Sequence, residues 1–580
     1  MHDRPAPLTL RDAFKTDTTD QDKTLSPRET VRRFRDRLKP LDLDLLKETV
    51  RIDNGRLDIP VFFSRCGVDA EAVTGTRKQM GKGATPDQAE ASAVMELAER
   101  FSFFSFRNDP AHFRRATYSQ VQADALPYSL ISRSVEDDAE TAANTRPVFE
   151  TLPLHWTWGY NLTRQRPVLV PFDWFFAINE FNGPSAGNCM EEAILQGLCE
   201  VVERHVSATV SRDRLPVPQI RPESARHPTV VELIEKFNRA GVQLHLSDFT
   251  LEMGIPTVGV LAHDPATFPE SSELVWTAGT APDPEKALGR ALTETAQLGG
   301  DFNTGGGYVA SGLPKLNHPD EAAFFTRQPP RTDLADLPNL SAPNIKTEIE
   351  HCIAALARQN LEVIVVDITH PLLGIPACYT IIPGARFRER AVGASVGMIS
   401  AKLLSESLPP RRALAALKSV DAALPGQYYV QFYIGTAHLA AGAPEAAISH
   451  LEAALTLDPA DEDIPSIYSY LGVALKDLGH YRRALEALEK GVRLDAQRID
   501  LHNLMGFCHF KLGEHEAAID RFKAAVRIDP GSAIDYANIA TNYRELGDRD
   551  KAIEYYLMAL TIDPTLEIAQ DNLDKLQKRD

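Results

Sequence analysis

The run Gly81-Lys-Gly-Ala-Thr-Pro-Asp-Gln-Ala-Glu-Ala-Ser-Ala-Val-Met-Glu-Leu-Ala-Glu-Arg100 decides how the larger part of this chain is read. Thr85 suits a helix cap, Pro86 the first helical position and Gln88 the capping-box position, so a helix starts here. A second run is built alike, Ser185-Ala-Gly-Asn-Cys-Met-Glu-Glu-Ala-Ile-Leu-Gln-Gly-Leu-Cys-Glu-Val-Val-Glu-Arg204, with Asn188 as cap and Glu191 at the box position. Both runs end in E-x-x-E-R. A third helix opens at Asp283-Pro284 and carries Arg290, Glu294 and Gln297. Residues three and four apart are neighbours on a helix. Glu96, Glu99 and Arg100 therefore share one face, and Glu200, Glu203 and Arg204 share another. Ser92 lies one turn before Glu96, and Glu192 two turns before Glu200.

The neighbouring positions are small or apolar (Ala91, Ala93, Val94, Ala98, then Ala193, Ile194, Leu198, Val201, Val202), so these helices are expected to pack inside a domain. Like charges one turn apart repel, and taking a carboxylate out of water is costly unless a cation accompanies it. The arginines supply only part of that compensation. Hard oxygen ligands without clustered Cys or His favour Mg2+ over Zn2+ as the remainder. The competing reading is a set of exposed helices laced by Glu–Arg pairs, each worth about 0.3–0.5 kcal/mol. Two copies of the stripe on apolar helices, each preceded by a glycine-rich turn, favour the metal site.

Gly75-Thr-Arg-Lys-Gln-Met-Gly81-Lys82-Gly83 imitates a phosphate loop, but five residues separate the glycines and Lys82 precedes Gly83 rather than Ser or Thr. Arg77, Lys78 and Lys82 are therefore expected in a solvated loop. Clear strand candidates are Glu362–Asp367, Ala377–Ile382 and Thr257–Ala262.

The last part of the chain repeats. Gly435, Gly472 and Gly506 follow an apolar residue at spacings of 37 and 34, and Ile539-Ala540 continues the column. Gly442, Gly479, Gly513 and Gly547 form a second column with the same period. Asp-Pro at 458, 529 and 563 closes three units, and Asp495-Ala496 stands in that place in the second. Extra residues in the first interval fit an insertion near Asp461–Ile464. A 34-residue period with small residues, a turn glycine and a terminating Asp-Pro resembles the tetratricopeptide repeat, a superhelix of antiparallel helix pairs.

The chain has 580 residues, which implies several domains, and 62 Lys and Arg against 80 Asp and Glu, for a net charge of −18. Such a balance gives no bulk attraction to nucleic acid or to an anionic membrane. Residues 425–580 carry 16 basic and 25 acidic side chains. That surface is either simply solvated or a groove for a basic peptide. The six cysteines are scattered, which excludes a zinc framework or a disulfide scaffold. The N-terminus lacks the apolar core of a signal peptide, and the uncharged run 425–444 is too polar to span a bilayer, so a cytoplasmic location is expected.

The three glutamate-bearing motifs, in this order and spacing, resemble the YcaO family over residues 23–405. Val365-Val-Asp-Ile-Thr369, Gly374-Ile-Pro376 and Ile382-Pro383-Gly384 also suit it. The resemblance implies an α/β (α+β) catalytic domain followed by an all-α repeat superhelix. It divides the chain into a flexible leader (1–22), the ATP-binding domain (23–405), a linker (406–424), four repeats (425–573) and a tail (574–580). It implies ATP and Mg2+ as cofactors. The nucleotide would meet Lys23, Thr30, Ser92, Ser185, Asn188, Arg204 and Arg290. The metal would be held by Glu96, Glu99, Glu192, Glu200, Glu203 and Glu294. Arg100 reads as structural.

Family members phosphorylate a peptide-bond amide oxygen, which opens the carbon to a side-chain nucleophile or to sulfide and yields an azoline or a thioamide. The resemblance singles out no general base, and His205 and His370 are candidates only as lone histidines. Azoline-forming members commonly end in a proline-rich tail. This chain ends Lys-Leu-Gln-Lys-Arg-Asp after helical repeats, which argues against ring formation. A YcaO domain followed by such repeats resembles the accessory factors for methylthiolation of ribosomal protein S12. The implied partners are a peptide or protein substrate and a protein bound through the repeat groove, with ribosomal protein S12 or its methylthiotransferase as candidates, and a homodimer is admitted. The rival reading is a nucleotide-binding adaptor without chemistry of its own.

Overall fold

A computed structural model describes residues 7–53, 55–137, 139–269, 272, 274–299, 316, 318–326, 330–387, 393–563 and 565–577. The chain divides into two compact units, 1–146 with 150–307 and 313–394, and 147–149 with 308–312 and 395–580.

The first unit is built on three sheets. One holds β1 (Leu46–Arg51), β2 (Val61–Cys66) and β3 (Lys78–Lys82) in antiparallel order. A six-stranded antiparallel sheet holds β4 (Arg114–Ala116), β5 (Leu154–Asn161), β6 (Arg166–Pro171), β7 (Pro184–Ala186), β13 (Ile364–Asp367) and β14 (Ala377–Ile381). Its order is β4-β5-β13-β14-β7, and β6 pairs with β5. The third sheet runs β11 (Val275–Thr280), β10 (Thr257–His263), β9 (Gln243–Asp248), β8 (Gln219–Ile220) and β12 (Arg331–Thr332), with only β8 and β12 parallel. The strands expected at 257–262, 362–367 and 377–382 are β10, β13 and β14. Their apolar residues are buried on both faces, as a continuous Val/Ile run requires.

Five helices of this unit bear on the site: α1 (Pro27–Leu38), α2 (Pro86–Asn108), α3 (Met190–Arg212), α4 (Pro284–Leu298) and α5 (Ile345–Arg358). Each glutamate-bearing helix lies on a different sheet. Helix α2 packs on β2 and β3, α3 on β14 and β7, and α4 on β10 and β11. Helix and sheet approach closely because glycines stand at the contacts. A Cβ on Gly81 of β3 would lie 2.1 Å from the Ala93 nitrogen, and one on Gly279 of β11 would lie 2.3 Å from the Ala287 carbonyl oxygen. Val94, Leu97 and Phe101 of α2 join Val31 and Phe34 of α1 in one core. Leu288 and Leu292 of α4 join Val258 and Val260 of β10 in another. Caps form as the sequence reads at Thr85, whose hydroxyl accepts from the Gln88 nitrogen at 3.3 Å, and at Asp283, whose carboxylate accepts from Glu285. The second cap differs. Cys189 is the cap residue of α3, and Glu192, rather than Glu191, reaches back to the Asn188 nitrogen at 2.9 Å.

Two boundaries need correction. The leader expected to be flexible over 1–22 is held at several points from residue 11 onward: the Arg11 nitrogen bonds Glu191 Oε1 at 2.7 Å, Ala13 is buried and its nitrogen bonds Asn344 Oδ1 at 3.0 Å, and Lys15 pairs with Asp22 and Glu348. Residues 1–6 lie outside the described residues. The linker expected over 406–424 is largely helical, because Leu408-Pro409-Pro410 ends one helix at Ser407 and at once starts the next. Pro410 occupies the first turn, where a missing N–H costs nothing.

The second unit therefore begins earlier than the repeats were expected to. It runs α6 (Val396–Ser407), α7 (Pro410–Ala423), α8 (Tyr428–Ala440), α9 (Pro444–Leu455), α10 (Ile464–Asp477), α11 (Tyr481–Leu494), α12 (Ile499–Lys511), α13 (His515–Ile528), α14 (Ala533–Glu545), α15 (Arg549–Ile562) and α16 (Glu567–Gln577). Successive helices pair through small residues. Gly435, Gly472 and Gly506 each leave room for only the Leu451, Leu488 or Phe522 side chain of the partner helix. The turn glycines Gly442, Gly479, Gly513 and Gly547 have φ between +72° and +80°, a conformation that costs other residues about 1–2 kcal/mol. The long connection between α9 and α10 falls at the insertion read from the sequence.

Candidate functional site

The three glutamate helices and the segment before α1 enclose a cavity of about 420 Å³. Its wall includes Lys23, Thr30, Ser92, Glu96, Glu99, Asn188, Glu192, Glu200, Glu203, Arg204, Arg290 and Glu294, so twelve of the thirteen residues expected at a nucleotide and metal site come together. The exception is Ser185. It is fully buried, its hydroxyl donates to the Ala193 carbonyl at 2.8 Å, and it occupies the space that Gly197 leaves between α3 and β7. Ser185 is a packing residue of the α3–sheet contact, not a wall residue.

The wall also contains residues the sequence placed elsewhere. Lys82 ends strand β3 rather than lying in a solvated loop, and it pairs with Glu294 of α4. Arg100 faces the cavity, with its guanidinium 2.9 Å from Glu96 Oε1 and 3.5 Å from Glu99 Oε1, and its charge sits over the Phe181 ring. Gln21, Lys78, Gln79, Gln88, Gln196 and Gln297 complete the polar lining. The period-2 alternation of Lys78, Met80 and Lys82 is the signal that could have placed Lys82 on the face of a strand.

Six carboxylates thus face six cations: Lys23, Lys78, Lys82, Arg100, Arg204 and Arg290. The arginines supply only part of the compensation, as expected: three of the six cations are arginines, and Lys23, Lys78 and Lys82 are the rest. Most of the carboxylates are also held by hydrogen bonds. Glu192 takes the Thr24 nitrogen at 2.6 Å, the Thr24 hydroxyl at 2.5 Å and the Asn188 nitrogen, and Asn188 in turn donates to the Thr30 hydroxyl at 3.0 Å. Glu203 takes the Thr280 nitrogen of β11 at 3.0 Å, and Glu200 the Gly183 nitrogen at 3.4 Å.

Burial dominates the electrostatics. It pushes the Glu99 carboxyl well above the ordinary carboxylate range, Glu96 adds to the shift, and Arg100 opposes it. Burial likewise raises Glu200 against the pull of Arg204 and Arg100. Burial and the neighbouring Arg290 and Arg204 lower the Lys82 ammonium to about 8. Neither candidate base is well placed: His205 Nδ1 accepts the Arg386 nitrogen at 2.9 Å and burial lowers the ring to about 4, while the His370 ring packs at a tilt against Phe101. Neither histidine lines the cavity. Burial raises the Cys199 and Cys378 thiols to about 12 and Cys189 to about 11, so none is an activated nucleophile.

The donor set fits a nucleotide with Mg2+. The Nε–H groups of Arg204 and Arg290 are buried with no hydrogen-bond partner among the described residues, a costly state that a phosphate oxygen relieves. Arg290 Nη1 is steadied by Gln196 Oε1 at 2.8 Å. Among the described residues no three His, Cys, Asp or Glu side chains are drawn close enough to hold a metal ion by themselves. That suits Mg2+, which commonly takes one or two carboxylates plus phosphate oxygens and water.

A model of the YcaO family, described as a YcaO cyclodehydratase that binds ATP and Mg2+, matches residues 80–386. Tetratricopeptide-repeat models match residues 403–462, 438–506 and 497–565. An uncharacterized protein of Methanothermobacter thermautotrophicus is 30% identical over 390 residues, 62% of this chain and 94% of that protein. The ribosomal protein S12 methylthiotransferase accessory factor YcaO of Escherichia coli is 29% identical over 347 residues, 52% of this chain and 56% of that one. A solved heterocyclase in complex with substrate and cofactor shares the fold at 24% identity and a TM-score of 0.53, covering 69% of this chain and 57% of that one. The chain spans a little over half the length of the last two.

Proposed function

The chain belongs to the YcaO family, which binds ATP and Mg2+, and from this premise we propose that it activates a backbone amide of a peptide or protein by O-phosphorylation. The observation that carries the reading is the cavity wall itself: six carboxylates set against six cations, with two buried arginine N–H groups left for an anion. A wall balanced in this way does not attract bare metal strongly, and it takes triphosphate best when the metal arrives with it. Lys23, Thr30, Asn188, Arg204 and Arg290 are the groups we assign to the nucleotide. Glu96, Glu99, Glu200, Glu203 and Glu294 are those we assign to Mg2+, with Glu192 organising Thr24 and Asn188 beside them. Bound Mg2+ neutralises charge on the phosphates.

Two steps balance the chemistry. The amide oxygen attacks the γ-phosphorus, the bond to ADP breaks, and the amide carbon gains a phosphate leaving group. A nucleophile then adds to that carbon and phosphate departs. The arginines orient the phosphates and stabilise charge in transit. The helical repeats recruit the acceptor or a partner protein, with ribosomal protein S12 as one candidate acceptor.

Phosphate release from ATP, measured with and without purified ribosomal protein S12, tests this reading. Turnover that requires Mg2+ and falls at least about a hundredfold in Arg290→Met supports it. Nucleotide binding without any phosphate release would favour the adaptor instead. One observation lends weight to that alternative, namely that no histidine or thiolate among the described residues lines the cavity.

A further inference from the structure

Residues 15–24 have little regular structure, yet they deliver Gln21 and Lys23 to the cavity wall and Thr24 to Glu192. Asp17 and Lys23 bridge across the base of this loop: the Lys23 nitrogen bonds the Asp17 carbonyl at 2.9 Å, and the Thr16 nitrogen bonds the Lys23 carbonyl at 2.9 Å. The tip rests on α4, where the Lys286 ammonium bonds the carbonyls of Thr18, Thr19 and Asp20. Lys286 stands one turn before Arg290. Asp20 Oδ2 accepts from the Ala84 nitrogen at 2.6 Å, just ahead of α2. Thr24 ends the loop on Glu192 of α3. The loop therefore touches the starts of all three glutamate helices.

A buried ion pair adds to these contacts. Lys15 Nζ lies 2.6 Å from Asp22 Oδ2 and 2.6 Å from Glu348 Oε1 of α5. The Lys15 and Glu348 side chains are only 7% and 1% exposed, so solvent screens the pair little. Asp22 is the residue before Lys23. Lys15 itself does not line the cavity.

We propose that Lys15 is a positioning residue for the nucleotide: by clamping Asp22 against Glu348 it holds the 15–24 loop closed and Lys23 aimed at the phosphates. The inference rests on the proposed nucleotide site. Without the clamp the loop keeps its backbone bridge, the Thr24 contacts and the Lys286 contacts, the last including Asp22 Oδ1 at 3.9 Å, but loses the short buried ion pair on the residue next to Lys23. Nucleotide binding must then restore that order at its own expense, so affinity falls while the chemistry, once ATP is bound, does not. A residue that served only general stability would lower the melting temperature and leave the affinity of the folded fraction unchanged.

The test is a calorimetric titration of the full chain with AMPPNP and Mg2+, alongside thermal unfolding and the ATP dependence of phosphate release. The variants are Lys15→Met, Lys15→Arg and the double change Lys15→Met with Glu348→Leu. The double variant removes the buried charge as well as its partner, and so guards against simple misfolding. The expected result is about tenfold weaker binding and a raised KM with kcat retained in Lys15→Met and in the double variant, with most of the affinity recovered in Lys15→Arg. Wild-type affinity in a folded Lys15→Met or double variant overturns this inference alone. Failure of the wild-type chain to bind AMPPNP overturns the nucleotide site, and the inference with it.

Discussion

Glu203 does two jobs that substitution can separate. Its carboxylate lines the cavity, and its Oε2 accepts the backbone N–H of Thr280, a fully buried residue, at 3.0 Å. Glu203→Ala strips the charge and also leaves that N–H without an acceptor. A buried unsatisfied N–H costs about 1–3 kcal/mol, and truncating the side chain adds a small cavity term, so a loss of about 2–4 kcal/mol is expected. Glu203→Gln keeps an amide oxygen where Oε2 stands. It should cost no more than about 1 kcal/mol and still remove the negative charge. Urea unfolding followed by circular dichroism reads the stability, and Mg2+-dependent phosphate release from ATP reads the chemistry. If Glu203 serves the metal–phosphate site, both variants lose turnover by about 10²–10³, the range seen when one preorganised electrostatic group is removed. Only the alanine variant should also lose stability. Wild-type turnover in a stable Glu203→Gln protein would refute the assignment and reduce Glu203 to a tie between α3 and β11.

Three other outcomes follow from the same geometry. Gly279→Ala places a Cβ 2.3 Å from the Ala287 carbonyl oxygen and 2.5 Å from the Ala291 nitrogen. It should push α4 off its sheet, cost about 1–3 kcal/mol and weaken nucleotide binding through Arg290 and Glu294; an unchanged urea midpoint contradicts this. Ser185→Ala should lose about 1 kcal/mol of stability and leave the KM for ATP unchanged, since the hydroxyl bonds Ala193 and faces no cavity; a raised KM would restore it to the nucleotide site. The raised Glu99 and Glu200 carboxyls mean that the metal-free fold holds protons the unfolded chain releases. Its stability therefore falls as pH rises from the ordinary glutamate value of 4.5 towards the raised ones, and Mg2+, which must displace those protons, binds more tightly over the same rise. The melting-point gain that Mg2+ adds in the presence of AMPPNP should thus be larger at about pH 8 than at about pH 5.5, and an equal gain at both contradicts it.

What was legible in the sequence was local. The E-x-x-E-R spacing places acids and arginine on one helix face whatever surrounds it, and the capping residues Thr85 and Asp283 mark helix starts from three or four neighbouring residues. The 34-residue period needs only that identical units stack. What was not legible depends on distant partners. Lys82 reads as a loop residue until Glu294 of α4 is brought beside it. Lys15 and Glu348 are 333 positions apart, and nothing near Lys15 announces a buried clamp rather than a solvated leader. Pro409-Pro410 looks like a break because proline stops a helix that is under way, yet it suits the start of α7 equally well. Ser185 matches a motif position, but only the packing of α3 on β7 shows that its hydroxyl is already taken.

The most direct test of the nucleotide site is a crystal structure of the full chain grown with AMPPNP and Mg2+. The triphosphate is expected in the cavity between α2, α3 and α4, with phosphate oxygens on the free Nε–H groups of Arg204 and Arg290 and Mg2+ between those oxygens and the glutamates of the wall. Nucleotide bound elsewhere, or a cavity that excludes it while both Nε–H groups stay unpaired, would contradict that placement.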